Sequence, residues 1–147
     1  MSDKYMIDSS VWITYFRDKE CKLKSLIKEL IEKDSVYFNG IIQTELLKGA
    51  KSEKNYRTLK NSFNGLQFLE IDKGLFDNIS DTAFKLRRKG ITVPLTDLII
   101  AVQCIENHLI LIHKDRHFEF IQKHFDLKLY QSIADEMEED KLGSGRE

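Results

Sequence analysis

Short apolar runs alternate along this chain with longer segments in which apolar residues recur every three or four positions, the pattern of buried strands covered by helices. Strands are predicted at residues 4–7, 35–38, 66–71, 109–112 and 127–130. Between them the spacing predicts helices at 9–16 and at 20–33, where Leu23, Ile27 and Leu30 share a face. Asn39 is placed to cap a helix containing Ile41, Ile42, Glu45 and Leu46. A helix over 53–62 is ended by Asn64-Gly65, and one over 73–89 is stopped by Gly90. Pro94, the only proline, precedes a helix at 95–107 that is apolar on nearly every side and so belongs in the middle of the fold. A last helix is predicted at 116–124. The fold class is α/β, a parallel sheet flanked by helices, with no internal repeat. One domain is expected over 1–134, followed by an acidic tail at 135–147 that is expected to be disordered.

Composition narrows the field. With 41% hydrophobic and 32% charged residues, the 147-residue chain has the mix of a folded globular domain. A net charge of −1 provides no global basic field, so any nucleic-acid contact would have to use a local patch. No apolar run approaches the ~20 residues of a membrane span, and Asp8 interrupts the first one, unlike a secretory signal. Cys21 and Cys104 lack metal-type spacing and read as reduced packing residues, which makes a cytoplasmic location the expectation.

The candidate chemistry is carried by acids. Tyr5-Met6-Ile7-Asp8-Ser9-Ser10 is an apolar strand running into a carboxylate and two hydroxyls, and Leu109-Ile110-Leu111-Ile112-His113-Lys114-Asp115 repeats the pattern. Acids at the carboxyl ends of two parallel strands would meet in the crevice where open α/β sheets place their chemistry. Glu45, between Ile42 and Leu46, and Asp97, directly before the apolar run 98–102, could join them. Each has a plainer role open to it: Asp8 and Asp115 as helix N-caps, Glu45 as a solvated partner of Lys48, Asp97 as a complement to the positive end of its helix. If the four converge, two carboxylates ~4 Å apart repel by roughly 4 kcal/mol at an effective dielectric of about 20. Such a cluster needs a cation, and hard oxygen donors point to Mg²⁺ or Mn²⁺. A bound divalent ion activates water and neutralises phosphate charge, which is what phosphodiester hydrolysis requires. On this reading Asp8 and Asp97 are the main ligands. Glu45 and Asp115 serve a second ion or bind through water, and Ser9 or Ser10 orients a bound water.

Four segments together carry a resemblance: Asp8-Ser9-Ser10-Val11-Trp12-Ile13, Thr44-Glu45-Leu46-Leu47-Lys48-Gly49-Ala50, Thr96-Asp97-Leu98-Ile99-Ile100-Ala101 and Lys114-Asp115-Arg116-His117-Phe118. Over residues 4–130 the chain resembles PIN-domain ribonucleases, with most similarity to the VapC-type toxins of toxin–antitoxin systems. The resemblance implies a three-layer fold with a five-stranded parallel sheet in the order 3-2-1-4-5. It also implies a Mg²⁺/Mn²⁺-dependent endoribonuclease whose acids hold one or two ions. A small cognate antitoxin is implied as partner, contacting promoter DNA on behalf of the pair, and so is a homodimer, to which Trp12, Tyr15 and Phe16 could contribute if they are not core.

The chain departs from the family around its fourth acid, where His113 and His117 flank Asp115. His-x-Asp-x-His permits a zinc reading, and a histidine could protonate a leaving oxygen. The plainer reading has His113 as a strand-end residue beside the site and His117 as a helix residue facing solvent or substrate. For RNA, Lys48, Lys51, Lys54, Arg57 and Lys60 recur every three residues, and Arg87-Arg88-Lys89 form a second cluster. A charge run is ordinarily a solvated face, and only a nearby acidic site makes this one informative. Tyr15, Phe16 and Tyr56 could stack bases or lie in the core. Two other readings stay open. One is a catalytically silent interaction module. The other is a Mg²⁺-binding receiver-type phosphotransfer domain, which wants a lysine at a late strand end, whereas no predicted strand ends in lysine.

Overall fold

The computed structural model describes residues 2–18 and 20–130. Five short strands, β1 (Tyr5–Ile7), β2 (Val36–Phe38), β3 (Gln67–Phe68), β4 (Ile110–Ile112) and β5 (Lys128–Leu129), form one sheet in the order β3-β2-β1-β4-β5. Every pairing is parallel. The helices are α1 (Ser9–Arg17), α2 (Lys22–Glu32), α3 (Gly40–Leu47), α4 (Glu53–Ser62), α5 (Lys73–Arg88), α6 (Leu95–Asn107) and α7 (Arg116–Gln122). The expected fold class and strand order are therefore both present. The predicted strands 66–71 and 127–130 shrink to two residues each at the two edges, where a strand has a neighbour on one side only. The expected tail at 135–147 lies outside the described residues.

Right-handed crossovers put the helices of the β1→β2 and β2→β3 connections on one face, and those of β3→β4 and β4→β5 on the other. Packing follows this division: α1 meets α2 and α3, and α3 meets α4, whereas α6 packs on α5 and α7. A sheet covered on both sides needs strands that are apolar throughout. Accordingly the consecutive residues Met6 and Ile7, and Leu111 and Ile112, are all fully buried. The longest helix, α5, has readable ends. Asp72 caps α5 by accepting from the Leu75 N–H, and Gly90 follows at φ +78°, a left-handed turn that favours glycine. As predicted, α6 lies in the middle of the fold, with every residue from Asp97 to Cys104 buried.

Buried polar groups lock the two faces together. Asn39 is fully buried; its side-chain oxygen accepts from the Ile42 N–H at 2.9 Å and its amide donates to Gln103 Oε1 at 2.8 Å. Gln103 in turn donates to the Glu70 carbonyl at 3.0 Å. The cap of α3 is thus tied to the middle of α6, which links the start of the helix carrying Glu45 to the helix carrying Asp97. Gln103→Leu would strand the Asn39 amide and the Glu70 carbonyl. It is expected to destabilise the protein by about 1–3 kcal/mol, readable as a lower urea midpoint at unchanged slope.

Candidate active site

The site begins with register. Ile7 lies opposite Ile112 across the β1–β4 pair, so both central strands end at one level, and the Asp8 N–H donates to the Ile112 carbonyl at 3.0 Å. The chain turns into α1 directly after Asp8 and into α7 directly after Asp115. α6 leads directly into β4, and its first turn, with Asp97, comes to the same carboxyl-terminal end of the central strands. Asp97 and Asp115 are close enough to share His117, whose Nδ1 lies 3.2 Å from Asp97 Oδ2 and 2.8 Å from Asp115 Oδ1. Glu45 reaches the group through Ser9, whose hydroxyl lies 3.4 Å from its Oε1.

The plainer roles and the functional ones coexist. Asp115 does cap its helix, accepting from the His117 N–H at 3.0 Å. Asp8 occupies the N-cap position of α1, but its carboxylate makes no capping bond and instead accepts from the Ser10 hydroxyl at 2.6 Å. Ser9 and Ser10 thus each hold one acid, Glu45 and Asp8 respectively. Asp97 is buried rather than merely sitting at a helix end.

Burial sets the electrostatics. It raises the Asp8 carboxyl above its usual range, against the opposing hydrogen bond from Ser10. It raises Glu45 as well, with the Asp8 charge adding to the effect. Asp97 is pushed up to about 7, by burial first and then by the adjacent Asp115 carboxylate. Burial also acts on Asp115, but the hydrogen bond from the His117 backbone N–H and the adjacent imidazole outweigh it and hold that carboxyl below its ordinary value. The Asp97–Asp115 pair therefore retains a proton to far higher pH than an isolated carboxylate does.

The two histidines separate. His113 is buried, packs edge-on against Phe118, and folds back on its own turn, with Nδ1 3.2 Å from the Asp115 amide nitrogen. Burial lowers its pKa, so it is neutral and serves to hold the turn that presents Asp115. His117, placed by the sequence toward solvent or substrate, is partly exposed and has its ring Nδ1 against the acids. Asp97, Asp115 and His117 each offer a donor atom, all within 4.8 Å of one another. Two linking residues went unread in the sequence. Gln103 sits on a helix already judged buried, and Thr14 accepts a hydrogen bond from the Lys114 ammonium across the turn next to Asp115. A buried glutamine opposite a buried asparagine is the signal that could have found the first.

Of the two roles open to the aromatic residues of α1, Trp12 takes the core one: it is 2% exposed and stacks on Phe16, with Phe63 edge-on. Tyr15 and Phe16 are half-buried against it. The three-residue stripe is not one helix face: Lys48 ends α3, Lys51 lies in the connection, and only Lys54, Arg57 and Lys60 belong to α4. These residues are nevertheless exposed. Lys51 and Arg57 line an open groove of about 540 Å³ with Leu47 and Tyr56. Arg87 and Arg88 end α5, where they also complement the helix dipole.

A parallel α/β domain whose carboxylates gather where the central strands and α6 meet defines a class, the acid-centred α/β domains. Within it the PIN domain family model matches residues 5–123, and the chain belongs to that family. Among curated relatives, the ribonuclease VapC1 of Methanocaldococcus jannaschii is 30% identical over 129 residues, covering 86% of this chain and 87% of the relative. A VapC ribonuclease of Mycobacterium bovis is 27% identical over 122 residues, covering 80% and 91%. Of solved structures, VapBC2 from Rickettsia felis bound to a promoter DNA fragment superposes with a TM-score of 0.74 at 19% identity, over 86% of this chain and 96% of that one. DNA-bound VapBC from Salmonella typhimurium gives 0.73 at 22% identity, over 88% and 98%. The receiver-type reading is set aside by this family membership.

Proposed function

We propose that the protein is a divalent-metal-dependent endoribonuclease, the toxin of a toxin–antitoxin pair, acting through Asp8, Glu45, Asp97 and Asp115. The observation that carries the chemistry is the crowding of carboxylates at one sheet edge, with Asp97 driven up to about 7 by burial and by Asp115. Acids left so poorly compensated fit a cation, and their oxygen donors suit Mg²⁺ or Mn²⁺. A bound ion would supply a Lewis acid for phosphate and a water that ionises near neutral pH. The chain's own residues do the rest. Asp8 and Asp97 would hold the ion, Glu45 and Asp115 would complete the ligand set, and Ser9 and Ser10 keep two of these carboxylates aimed. Lys48, Lys51, Lys54, Arg57, Lys60 and the Arg87–Lys89 cluster would provide positive charge for the RNA backbone that the acidic site lacks.

The toxin role rests on the VapC relatives and on the VapBC complexes that share the fold. By that analogy the partners are RNA, a small cognate antitoxin that engages promoter DNA, and a second copy of this chain, all in the cytoplasm. No helix among the described residues is long and apolar enough to cross a membrane. Purified protein freed of any partner should cut single-stranded or transfer RNA in Mg²⁺ or Mn²⁺ and stop on addition of EDTA. Normal metal binding with every RNA left intact would favour a silent interaction module. Lys54→Glu together with Arg57→Glu should weaken RNA binding and flatten its salt dependence while leaving metal affinity unchanged, which filter binding at several salt concentrations would report.

A further inference from the structure

We propose that His117 is itself a ligand of the divalent ion, alongside Asp97 and Asp115, and that its nitrogen shifts the site from Mg²⁺ toward first-row transition ions such as Mn²⁺. This rests on the metal-dependent reading above and adds a nitrogen donor to a site otherwise made of oxygens. The Nδ1 atom is buried between two carboxylates at 2.8 and 3.2 Å, yet it makes a hydrogen bond to neither. Neighbouring ligand atoms of an octahedral ion bound at ~2.1 Å stand about 3.0 Å apart, the spacing seen here. In such a site the line from a ligand to the ion diverges by about 45° from the line to its neighbours. A ring nitrogen aimed at an ion is therefore not aimed at the flanking oxygens, which accounts for close approach without a hydrogen bond.

The helix start enforces the placement. Asp115 accepts from the His117 backbone N–H at 3.0 Å through the same Oδ1 that lies beside the imidazole nitrogen. Residue 117 is thereby held over the carboxylate pair by the cap itself. Imidazole suits first-row transition ions, whereas Mg²⁺ takes oxygen donors and parts reluctantly with water. The competing account has His117 as a cationic stand-in that merely neutralises the acids. It makes the opposite prediction, because removing a competing positive charge would tighten metal binding.

The test uses the full, metal-free chain with Mn²⁺ alone and Mg²⁺ alone, read by titration calorimetry and by pulsed EPR of the Mn²⁺ form. Wild type should show ¹⁴N coupling from a directly bound imidazole, and His117→Ala and His117→Asp should both lose it. Mn²⁺ affinity should fall at least about tenfold in His117→Ala, since even residues that only support a ligand cost that much. His117→Asp, which restores an oxygen donor, should keep Mg²⁺ binding while its preference for Mn²⁺ over Mg²⁺ drops about tenfold. A wild-type protein that binds both ions without a nitrogen signal would overturn the role of His117 and leave the metal-dependent reading standing. Unchanged or tighter Mn²⁺ binding by His117→Ala would do the same. Failure of wild type to bind either ion would overturn both.

Discussion

Asp8→Asn combined with Asp97→Asn is expected to reduce RNA cleavage by at least about a thousandfold. Metal stabilisation of the developing charge is worth several kcal/mol, and each ~1.4 kcal/mol lost from the transition state costs a factor of ten. Asparagine matches aspartate in shape, so the loss reports charge rather than packing. Asp115 allows a finer division, because its carboxylate both caps α7 and lies beside the pair. Asparagine caps a helix about as well as aspartate, whereas alanine costs about 1 kcal/mol. Asp115→Asn should therefore lose activity while keeping the cap, and Asp115→Ala should lose activity and be the less stable of the two variants by about 1 kcal/mol. Single-turnover cleavage of a labelled RNA, paired with thermal melts, separates these outcomes. Full activity in the double asparagine variant would remove the proposed site.

The second large effect concerns stability. In the metal-free protein Asp97 keeps its proton up to about pH 7, while the unfolded chain releases it near the ordinary aspartate value. Between those values the folded state binds the extra proton, so stability must fall as pH rises from about 4 to about 7. The raised carboxyls of Asp8 and Glu45 act in the same direction. Asp115, held below its usual range, contributes stability that is lost only at more acidic pH. Asp97→Asn removes the largest of these penalties, so in EDTA at pH 8 it should melt at or above wild type. Metal reverses the order. Wild type should gain about 1.4 kcal/mol at free ion ten times its dissociation constant, or roughly 3–6 °C for a domain of this size, and the variant should gain little. If Asp97 merely complemented the dipole of α6, the variant would instead lose about 0.3–1 kcal/mol and respond to metal like wild type. Melts at several pH values, with and without Mn²⁺, decide between the two.

Much of this was legible along the chain because it rests on local signals. Asn39 reads as a cap and is one, Gly90 reads as a stop and takes the left-handed turn, and the all-round apolar helix over 95–107 is buried as its composition demands. The acids Asp8 and Asp115 were placed together because each ends an apolar run, and a parallel sheet carries such ends to one edge. Edge-strand lengths were overread, since hydrophobicity alone does not say how far a neighbour extends. The Lys48–Lys60 period likewise ran through a helix end without notice, since a spacing of three carries across a loop as readily as along a helix.

The helices, the apolar central strands and the four acids follow from the chain alone, because caps, periodicity and strand-end chemistry are written within a few residues of one another. The partnerships came from packing in three dimensions, which no short stretch of the chain specifies. The buried Asn39–Gln103 link, the place of Trp12 in the core, and the turn of His113 onto its own backbone are of this kind. So is the inward turn of His117. At a helix start its sequence neighbours leave it free to face solvent, and it faces the acids because α6 brings Asp97 to within 3.2 Å of its ring nitrogen.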